Sequence, residues 1–434
     1  MSKENPTSFQ RKTKKGRYSD NYPLFFQTIF FLFLINCLSV ALTSTIEIVI
    51  QIETSGDQQF LNQGFLSEPN NVKIDGNYVG CKKKCYMSSG THTIILEYSY
   101  NVGSCYEMFY GTTYNIKEIN LANFDFSHVG DMYSMFYGCS NLEKLNFGTN
   151  NIHPTNMGKM FQNCIKLQSI DLSNFDFTNV FSTEATFWGC SSLINVNFGN
   201  PNTPNLVFMG EMFQGCTELP SVDLSKFDFS KVTDMHAMFW GCSNLENVDL
   251  GTKNTPQLQN MGVMFQFCTK LKSIDLSYFD LTHVTDMLAM FYDCNSIKTI
   301  KFGNSKTNSL QLMEEMFYGC YELKPLDLSN FDTHLVTSFK KVFQGCSSLE
   351  TLELSNFDFS HVITMESMFS GCTNIENINF GNINTNSLEN LYETFKGCST
   401  LQIIDLSKFE TSKVTTMEGM FQNYSSFRFL KFSS

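Results

Sequence analysis

The cysteines of this chain are the first residues to test for chemistry, because a thiol can form disulfides, bind zinc or act as a nucleophile. Eleven of the fifteen recur at one position of a repeated element whose usual form is Phe-x-Gly-Cys. No Cys-x-x-Cys pair or nearby His completes a tetrahedral set, so the spacing predicts no metal site. A thiol that always follows an apolar segment is typical of a small buried residue. We expect a core ladder of free thiols, with disulfides between adjacent repeats as the alternative, formed by Cys139, Cys164, Cys190, Cys216, Cys242, Cys268, Cys294, Cys320, Cys346, Cys372 and Cys398.

A second recurring position carries mostly carboxylates. If it points outward from stacked strands, it forms a polar stripe that could meet a basic partner or, with turn residues such as Asp228 and Asp280, a hard cation such as Ca²⁺. The simpler alternative is that these side chains solvate an exposed sheet and hydrogen-bond to neighbouring repeats. The acidic members, our candidate binding stripe, are Asp171, Asp223, Asp249, Asp275, Asp327, Glu353 and Asp405.

No catalytic motif accompanies either position. The seven His residues are scattered, and no G-x-S-x-G, H-E-x-x-H or Gly-rich phosphate loop occurs. Catalysis needs one unique constellation, whereas a repeated unit offers near copies of one surface. We therefore expect a protein that is not an enzyme, with no catalytic residues and no cofactor. The formal net charge of -12 and the confinement of the dense basic cluster to the first twenty residues argue against a nucleic-acid partner.

The elements that position these residues come from a repeat of about 26 residues. In the unit from Leu219 to Asn244, Val222 and Leu224 alternate with polar residues and predict a short strand. Met235, Met238 and Phe239 follow at the i, i+3, i+4 spacing of a helix face, and Gly241 suits a left-handed helix end. A Phe before Asp, Phe227 in this unit, recurs and predicts an internal column of rings.

One strand and one short helix cannot bury a core alone, so each unit must stack on its copies. We predict an α/β repeat solenoid, similar to leucine-rich repeats, of about twelve units over residues 107–434. A second unit type alternates with the first and replaces Ser-x-Phe-Asp by Gly and a turn rich in Asn and Thr, which gives a longer period near 52 residues. The sequence offers no reason for this alternation.

The region before the repeats divides into three parts. Residues 1–23 form a basic segment, and residues 24–44 an apolar run long enough to cross a bilayer as a helix, either a signal anchor or a cleaved signal peptide. Positive charge before this run predicts a cytoplasmic N-terminus and translocated repeats. Residues 45–106 alternate as strands and predict a small β-rich cap. The cap holds Cys81, Cys85 and Cys105, with one disulfide or none.

The repeat resembles a known family. The strings Ile170-Asp171-Leu172-Ser173-Asn174-Phe175-Asp176, Val232-Thr233-Asp234-Met235 and Met135-Phe136-Tyr137-Gly138-Cys139-Ser140-Asn141-Leu142 are similar to BspA-like leucine-rich repeats. The resemblance implies a surface or secreted protein associated with adhesion, and it implies no catalytic residues.

These observations favour a recognition or adhesion protein that binds a protein or glycan at the cell surface, held by its N-terminal segment or secreted. The alternative is a structural coat protein that acts by self-association.

Overall fold

The computed structural model describes residues 43–112, 115–424 and 429–432. The basic segment 1–23 lies outside the described residues, as does the predicted apolar helix 24–44 except for its last two residues, and Ser44 already begins the first strand. No helix of the described residues is long and apolar enough to cross a membrane. Residues 44–434 form one compact unit.

The cap is a twisted sheet that continues into the first repeats. The longest strands have alternating buried and partly exposed residues, as a half-buried strand requires. Its strands and those of the first repeats are β1 (Ser44–Ile52), β2 (Gly56–Gln59), β3 (Asn71–Ile74), β4 (Asn77–Val79), β5 (Lys84–Met87), β6 (Gly90–Tyr98), β7 (Ile116–Asn123) and β8 (Lys144–Asn146). The central strand, β1, pairs antiparallel with β6 on one side and β7 on the other, and β7 pairs parallel with β8. The sheet order is β4-β3-β6-β1-β7-β8, and β2 pairs with β5 in a separate pair.

With one exception, the remaining repeats each contribute one short strand to one side of the solenoid, here called the strand side. The middle residue of each strand points inward and its neighbours point to solvent, because side chains alternate along a strand. Pro325 lacks a backbone N–H, and no strand forms at residues 325–327. The strands are β9 (Ser169–Asp171), β10 (Asn195–Asn197), β11 (Ser221–Asp223), β12 (Asn247–Asp249), β13 (Ser273–Asp275), β14 (Thr299–Lys301), β15 (Thr351–Glu353), β16 (Asn377–Asn379), β17 (Ile403–Leu406) and β18 (Phe429–Phe432).

The predicted helix in each unit is wrong. Where the helix was expected, the chain makes overlapping tight turns: Met238 N donates to Met235 O at 3.3 Å, and Cys242 N to Phe239 O at 3.0 Å. Ala237, inside the first of these turns, has a left-handed φ of 51°, and Gly241, inside the second, has a φ of 73°. A left-handed residue every fourth position prevents the i→i+4 bonds of an α-helix. Within the described residues the one helical element is the 3-10 turn Phe177–Asn179.

These turns, here called the turn side, are hydrogen-bonded between repeats. Ala237 N donates to Gly262 O at 3.0 Å, and Phe239 N to Met264 O at 2.9 Å. Gly241 N continues the row by donating to Gln266 O at 2.8 Å. Alternate amides therefore bond to the next rung, as in a parallel sheet, and a helix would have used them within its own segment. The prediction of a repeat solenoid is confirmed, and its rungs are β-strands and turns.

Two sets of phenylalanines fill the core. The Phe of each Phe-x-Gly-Cys element stacks on its equivalent in the next rung, with ring centroids 5.3–5.9 Å apart and nearly parallel planes, as at Phe187, Phe213 and Phe239. The column predicted from Phe227 is different. Its rings meet a Phe from the intervening unit edge to face, for example Phe227 and Phe198 at 5.1 Å and 86°.

The alternation of two unit types has a packing reason. A unit with Leu-Ser after its strand (serine-type) pairs with the following unit that has Gly there (glycine-type), as β11 pairs with β12. Gly251 has a φ of 69°, and a Cβ on it would lie 2.8 Å from Ser225 O, so only glycine allows this close approach. At the opposite joint the Phe198–Phe227 pair fills the space and the strands are not hydrogen-bonded. The strand side is therefore built from pairs of rungs.

Candidate binding surface

The carboxylates of the candidate stripe lie on the strand side, where each caps its own loop. Asp223 Oδ1 accepts the backbone N–H of Ser225 at 2.9 Å, and Glu353 Oε1 accepts that of Ser355 at 3.0 Å. The other five acidic members make the same bond to the residue two positions on. Hydrogen bonds from the side chain and backbone of Ser225 lower the pKa of Asp223, because they stabilise the charged form.

Neighbouring rungs use further oxygens of the stripe. Asn197 donates to Asp171 at 3.1 Å and Asn379 to Glu353 at 2.8 Å, while Lys301 lies 3.3 Å from Asp275. Asp228 and Asp280, considered as additional cation ligands, also cap turns, through Ser230 N and Thr282 N. No group of three or more His, Cys, Asp or Glu side chains in the described residues could hold a metal ion. The stripe thus lies where it was expected, with several of its hydrogen-bonding groups already used.

The eleven repeated cysteines form a column in the interior, and all are free thiols. Each thiol lies within hydrogen-bonding distance of the carbonyl of a Phe in the preceding rung, as Cys216 Sγ does with Phe187 O at 3.1 Å. Burial raises the pKa of Cys190 and of Cys242 to about 12, because a thiolate would be desolvated there. A buried thiol of this kind is chemically inert in the folded chain. In the cap, Cys81 and Cys85 form a disulfide, whereas Cys105 is free and buried.

A row on the turn side was not recognised as a surface from the sequence. The residue after each stacked Phe is aromatic or Gln in ten consecutive rungs, and it lies partly exposed in most of them. The signal that joins its members, among them Trp188 and Trp240, was present in the sequence: they occupy the same position, directly after the stacked Phe. We call this row the turn-side ridge, formed by Tyr110, Tyr137, Gln162, Trp188, Gln214, Trp240, Gln266, Tyr292, Tyr318 and Gln344.

Side chains of the ridge contact one another along the stack. The rings of Tyr292 and Tyr318 lie parallel with centroids 4.3 Å apart. Trp240 Nε1 donates to Gln266 Oε1 at 2.9 Å, and the Trp240 ring meets Phe267, which is next to the ridge, edge to face at 5.7 Å. Because these neighbours contact each other, the rings of Tyr292, Tyr318 and Trp240 are held in place before a ligand binds, which lowers the entropy cost of binding.

A cleft on the strand side is a second, smaller feature. It lies at the unpaired joint between β16 and β17 and has a volume of about 210 Å³. Its lining includes Phe380, Ile404, Asp405 and Lys408. Its residues belong to the packing of one joint and include no set of groups suited to catalysis.

Comparison with known proteins gives a family. No curated protein matches the chain. Among solved structures, the crystal structure of a TLR13–ssRNA13 complex is similar over 65% of this chain and 51% of that chain, with 17% identity and a TM-score of 0.22. The present chain thus spans about half the length of that one. Three successive stretches, residues 103–221, 207–325 and 311–430, match the family described as Mycoplasma protein of unknown function, DUF285. Since these stretches together cover most of the residues, the chain belongs to that family.

Proposed function

We propose that this chain is a non-catalytic recognition protein, displayed on a cell surface or secreted, that binds a protein or glycan through the surface of its solenoid. The observation that carries the proposal is the turn-side ridge, in which one position presents an aromatic ring or an amide in ten rungs in succession. Aromatic side chains combine large contact area with few rotatable bonds, and they are enriched where proteins bind partners.

The resemblance of the repeats to BspA-like leucine-rich repeats supports the same proposal, since that family is associated with adhesion. So does the order of the N-terminal segments. The basic residues before the apolar run at 24–44 favour export of everything that follows, as an anchored or a secreted protein. The absence of a recognised catalytic motif is consistent with a function that depends on repeated contact area.

The location is tested with intact cells that express the full-length chain with a tag after Ser434. A membrane-impermeant reagent should label the tag, and external protease applied beforehand should remove the label. A tag that stays protected from both, in cells whose lysate contains the full-length chain, overturns the proposed display.

The rival function, a coat that acts by self-association, is tested on the purified full-length chain. We expect sedimentation to show a species whose mass does not grow with concentration. A chain that polymerises progressively, and that does so equally after substitution of ridge residues, would favour the coat and contradict recognition of a foreign ligand.

A further inference from the structure

The central part of the turn-side ridge has a regular chemical order. From Gln162 to Gln266 it alternates strictly between amide and indole, with Trp188 and Trp240 separated by Gln214. An indole has an apolar face, and an amide has both a donor and an acceptor, although Gln266 Oε1 already accepts from Trp240 Nε1. A ligand that fits this order has an apolar face at every second unit and hydroxyl or amide groups between.

Free hydrogen-bonding capacity is present at the first amide of this order and at the last residue of the ridge. Gln162 Oε1 and Gln344 Oε1 are buried and have no hydrogen-bond partner, and the whole Gln162 side chain is only 5% exposed. An unpaired buried acceptor is unfavourable, because it has lost water and gained nothing. The terminal torsion of a Gln is soft, so the amide can turn toward the surface and accept a hydrogen bond from a ligand hydroxyl.

The charge of the ridge limits the class of ligand. None of its ten residues is charged at neutral pH, while the whole chain has a formal net charge of -12. A polyanion such as a nucleic acid would be repelled by the chain, and the cation nearest to a ridge ring, Lys341 over Tyr318 at 5.8 Å, is already paired with Glu315. An uncharged ligand meets neither difficulty.

The backbone beside the ridge distinguishes a glycan from an added peptide strand. A strand that joins a sheet needs free backbone N–H and C=O groups. Here Gly215 N donates to Trp240 O at 2.7 Å, and Gly241 N donates to Gln266 O at 2.8 Å, so these groups are already used between rungs. Gly215 and Gly241 have no side chain, and their nearest neighbours to an added Cβ lie 3.7 Å and 3.9 Å away. They leave a flat border along which a chain of sugar rings can lie.

The rung spacing matches a sugar chain. Equivalent rings in successive rungs lie 5.3–5.9 Å apart in the core stack, and the ridge pairs Tyr110–Tyr137 and Tyr292–Tyr318 lie 4.8 Å and 4.3 Å apart. The length of one pyranose in an extended chain falls between these spacings. In a β-1,4-linked chain successive sugars are turned over, so the same C–H face returns at every second sugar. The tryptophans return at every second rung. We infer that the turn-side ridge binds a linear, uncharged β-1,4-linked glycan that lies along the solenoid, with Trp188 and Trp240 stacking on alternate sugars.

This inference rests on the proposed recognition function and specifies its ligand class. The chain has two tryptophans, and both are in the ridge, so tryptophan emission reports on this surface alone. The full-length protein is titrated with β-1,4-linked hexasaccharides of glucose, of N-acetylglucosamine and of mannose. The α-1,4-linked glucose hexasaccharide and a proline-rich peptide serve as comparison ligands. We expect a saturable emission change with at least one β-1,4-linked sugar and none with the α-linked sugar.

Three variants locate the site by calorimetric titration. Trp188→Ala and Trp240→Ala should each weaken binding about tenfold or more, because each removes one stacking face. Tyr278→Ala is the matched control, since Tyr278 is 53% exposed but lies on the strand side; it should bind as the parent does. Unfolding midpoints close to the parent's show that the tryptophan variants are folded.

Several outcomes overturn the inference. They are no emission change with any of the three β-1,4-linked sugars at millimolar concentration, binding as tight as the parent's in a variant that carries both Trp188→Ala and Trp240→Ala, or saturation by the proline-rich peptide alone. Failure here is separable from failure of the proposed function. Labelled surface repeats without glycan binding refute only the ligand, whereas glycan binding by a chain whose tag stays protected refutes only the location.

Discussion

The strand side and the turn side of this solenoid are made by the same repeats but solve different problems. On the strand side, rungs are hydrogen-bonded in pairs, and the polar side chains are largely used to cap loops and bridge neighbours. On the turn side, hydrogen bonds run through successive rungs, the core rings stack continuously, and the ridge keeps acceptors without partners. The acidic stripe on the strand side thus has less unused bonding capacity than the uncharged ridge on the turn side.

A position that recurs in every repeat is therefore not, by recurrence alone, either a structural position or a binding position. The positions of Asp223 and Trp240 both recur along the stack, but the carboxylate of Asp223 is hydrogen-bonded to its own loop. Trp240 is partly exposed. Four substitutions test this difference between the strand side and the turn side.

The largest effect is expected from Phe213→Ala in the turn-side core. Phe213 is fully buried and stacks on Phe187 at 5.4 Å and on Phe239 at 5.6 Å. Its truncation should lower the free energy of unfolding by about 3–5 kcal/mol, through lost burial and a cavity. Val196→Ala, at a partly exposed strand-side position, should cost about 1 kcal/mol. Equal losses of unfolding free energy for the two variants, measured by urea unfolding, would contradict a larger contribution of the stacked turn-side rings to the core.

Next comes Gly251→Ala, on the strand side. Gly251 and Gly241 have similar φ values of 69° and 73°, but only at Gly251 would the new Cβ meet backbone, at 2.8 Å from Ser225 O. Gly241→Ala should cost about 1 kcal/mol for the left-handed conformation, whereas Gly251→Ala should cost about 3 kcal/mol because the pair of rungs must also separate. Indistinguishable urea midpoints would show that the glycine contact does not hold the pair together.

A smaller effect, of opposite sign, is expected from Val263→Asn. Val263 is β-branched and has a φ of 49°, a conformation that Asn adopts more readily. The substitution should raise the free energy of unfolding by about 0.5–1 kcal/mol. Glu211→Asn at the equivalent position, with a φ of 59°, is the control and should gain less. Loss of stability in Val263→Asn would contradict the turn geometry described here.

The smallest effect is expected from Asp275→Asn on the strand side. Hydrogen bonds from Ser277 lower the pKa of Asp275 in the folded chain. Its contribution to stability is therefore present above the unfolded pKa, near 4, and is lost as the pH falls through the lowered folded pKa. Because the side chain is about half exposed, solvent screening limits the loss at neutral pH to about 0.5 kcal/mol. Thermal unfolding from pH 7 to 2.5 should show the two proteins converging in acid; a constant difference would contradict this.

The sequence predicted the repeat solenoid and the strand positions within the units, because alternation and unit length determine them directly. It did not predict the turn side. The spacing of Met235, Met238 and Phe239 fits a helix and two overlapping turns equally well. The left-handed position in the first turn is held by Ala237 and not by a glycine, so the sequence does not indicate the turn. A tertiary factor decides between the two: the amides can bond to the next rung.

The same limit explains the candidate site. A column of Asp residues is visible in the sequence, but the serine amides that occupy its oxygens depend on loop geometry. The ridge can be recognised only when the position after each stacked Phe is compared across rungs, because Gln and Trp belong to different classes of side chain. Asn163, Phe267 and Asp293, which replace the usual Gly, further obscure the register.

The pairing of serine-type and glycine-type units also bears on how such a chain changes length over generations. A duplicated or deleted segment of two rungs brings the same two kinds of joint together again, while a segment of one rung places like next to like. The units around Pro325 and Leu352 are two adjacent serine-type units, and no strand forms at residues 325–327. The three family matches begin at residues 103, 207 and 311, four rungs apart. Inherited length variants of this protein should therefore differ mainly by even numbers of rungs.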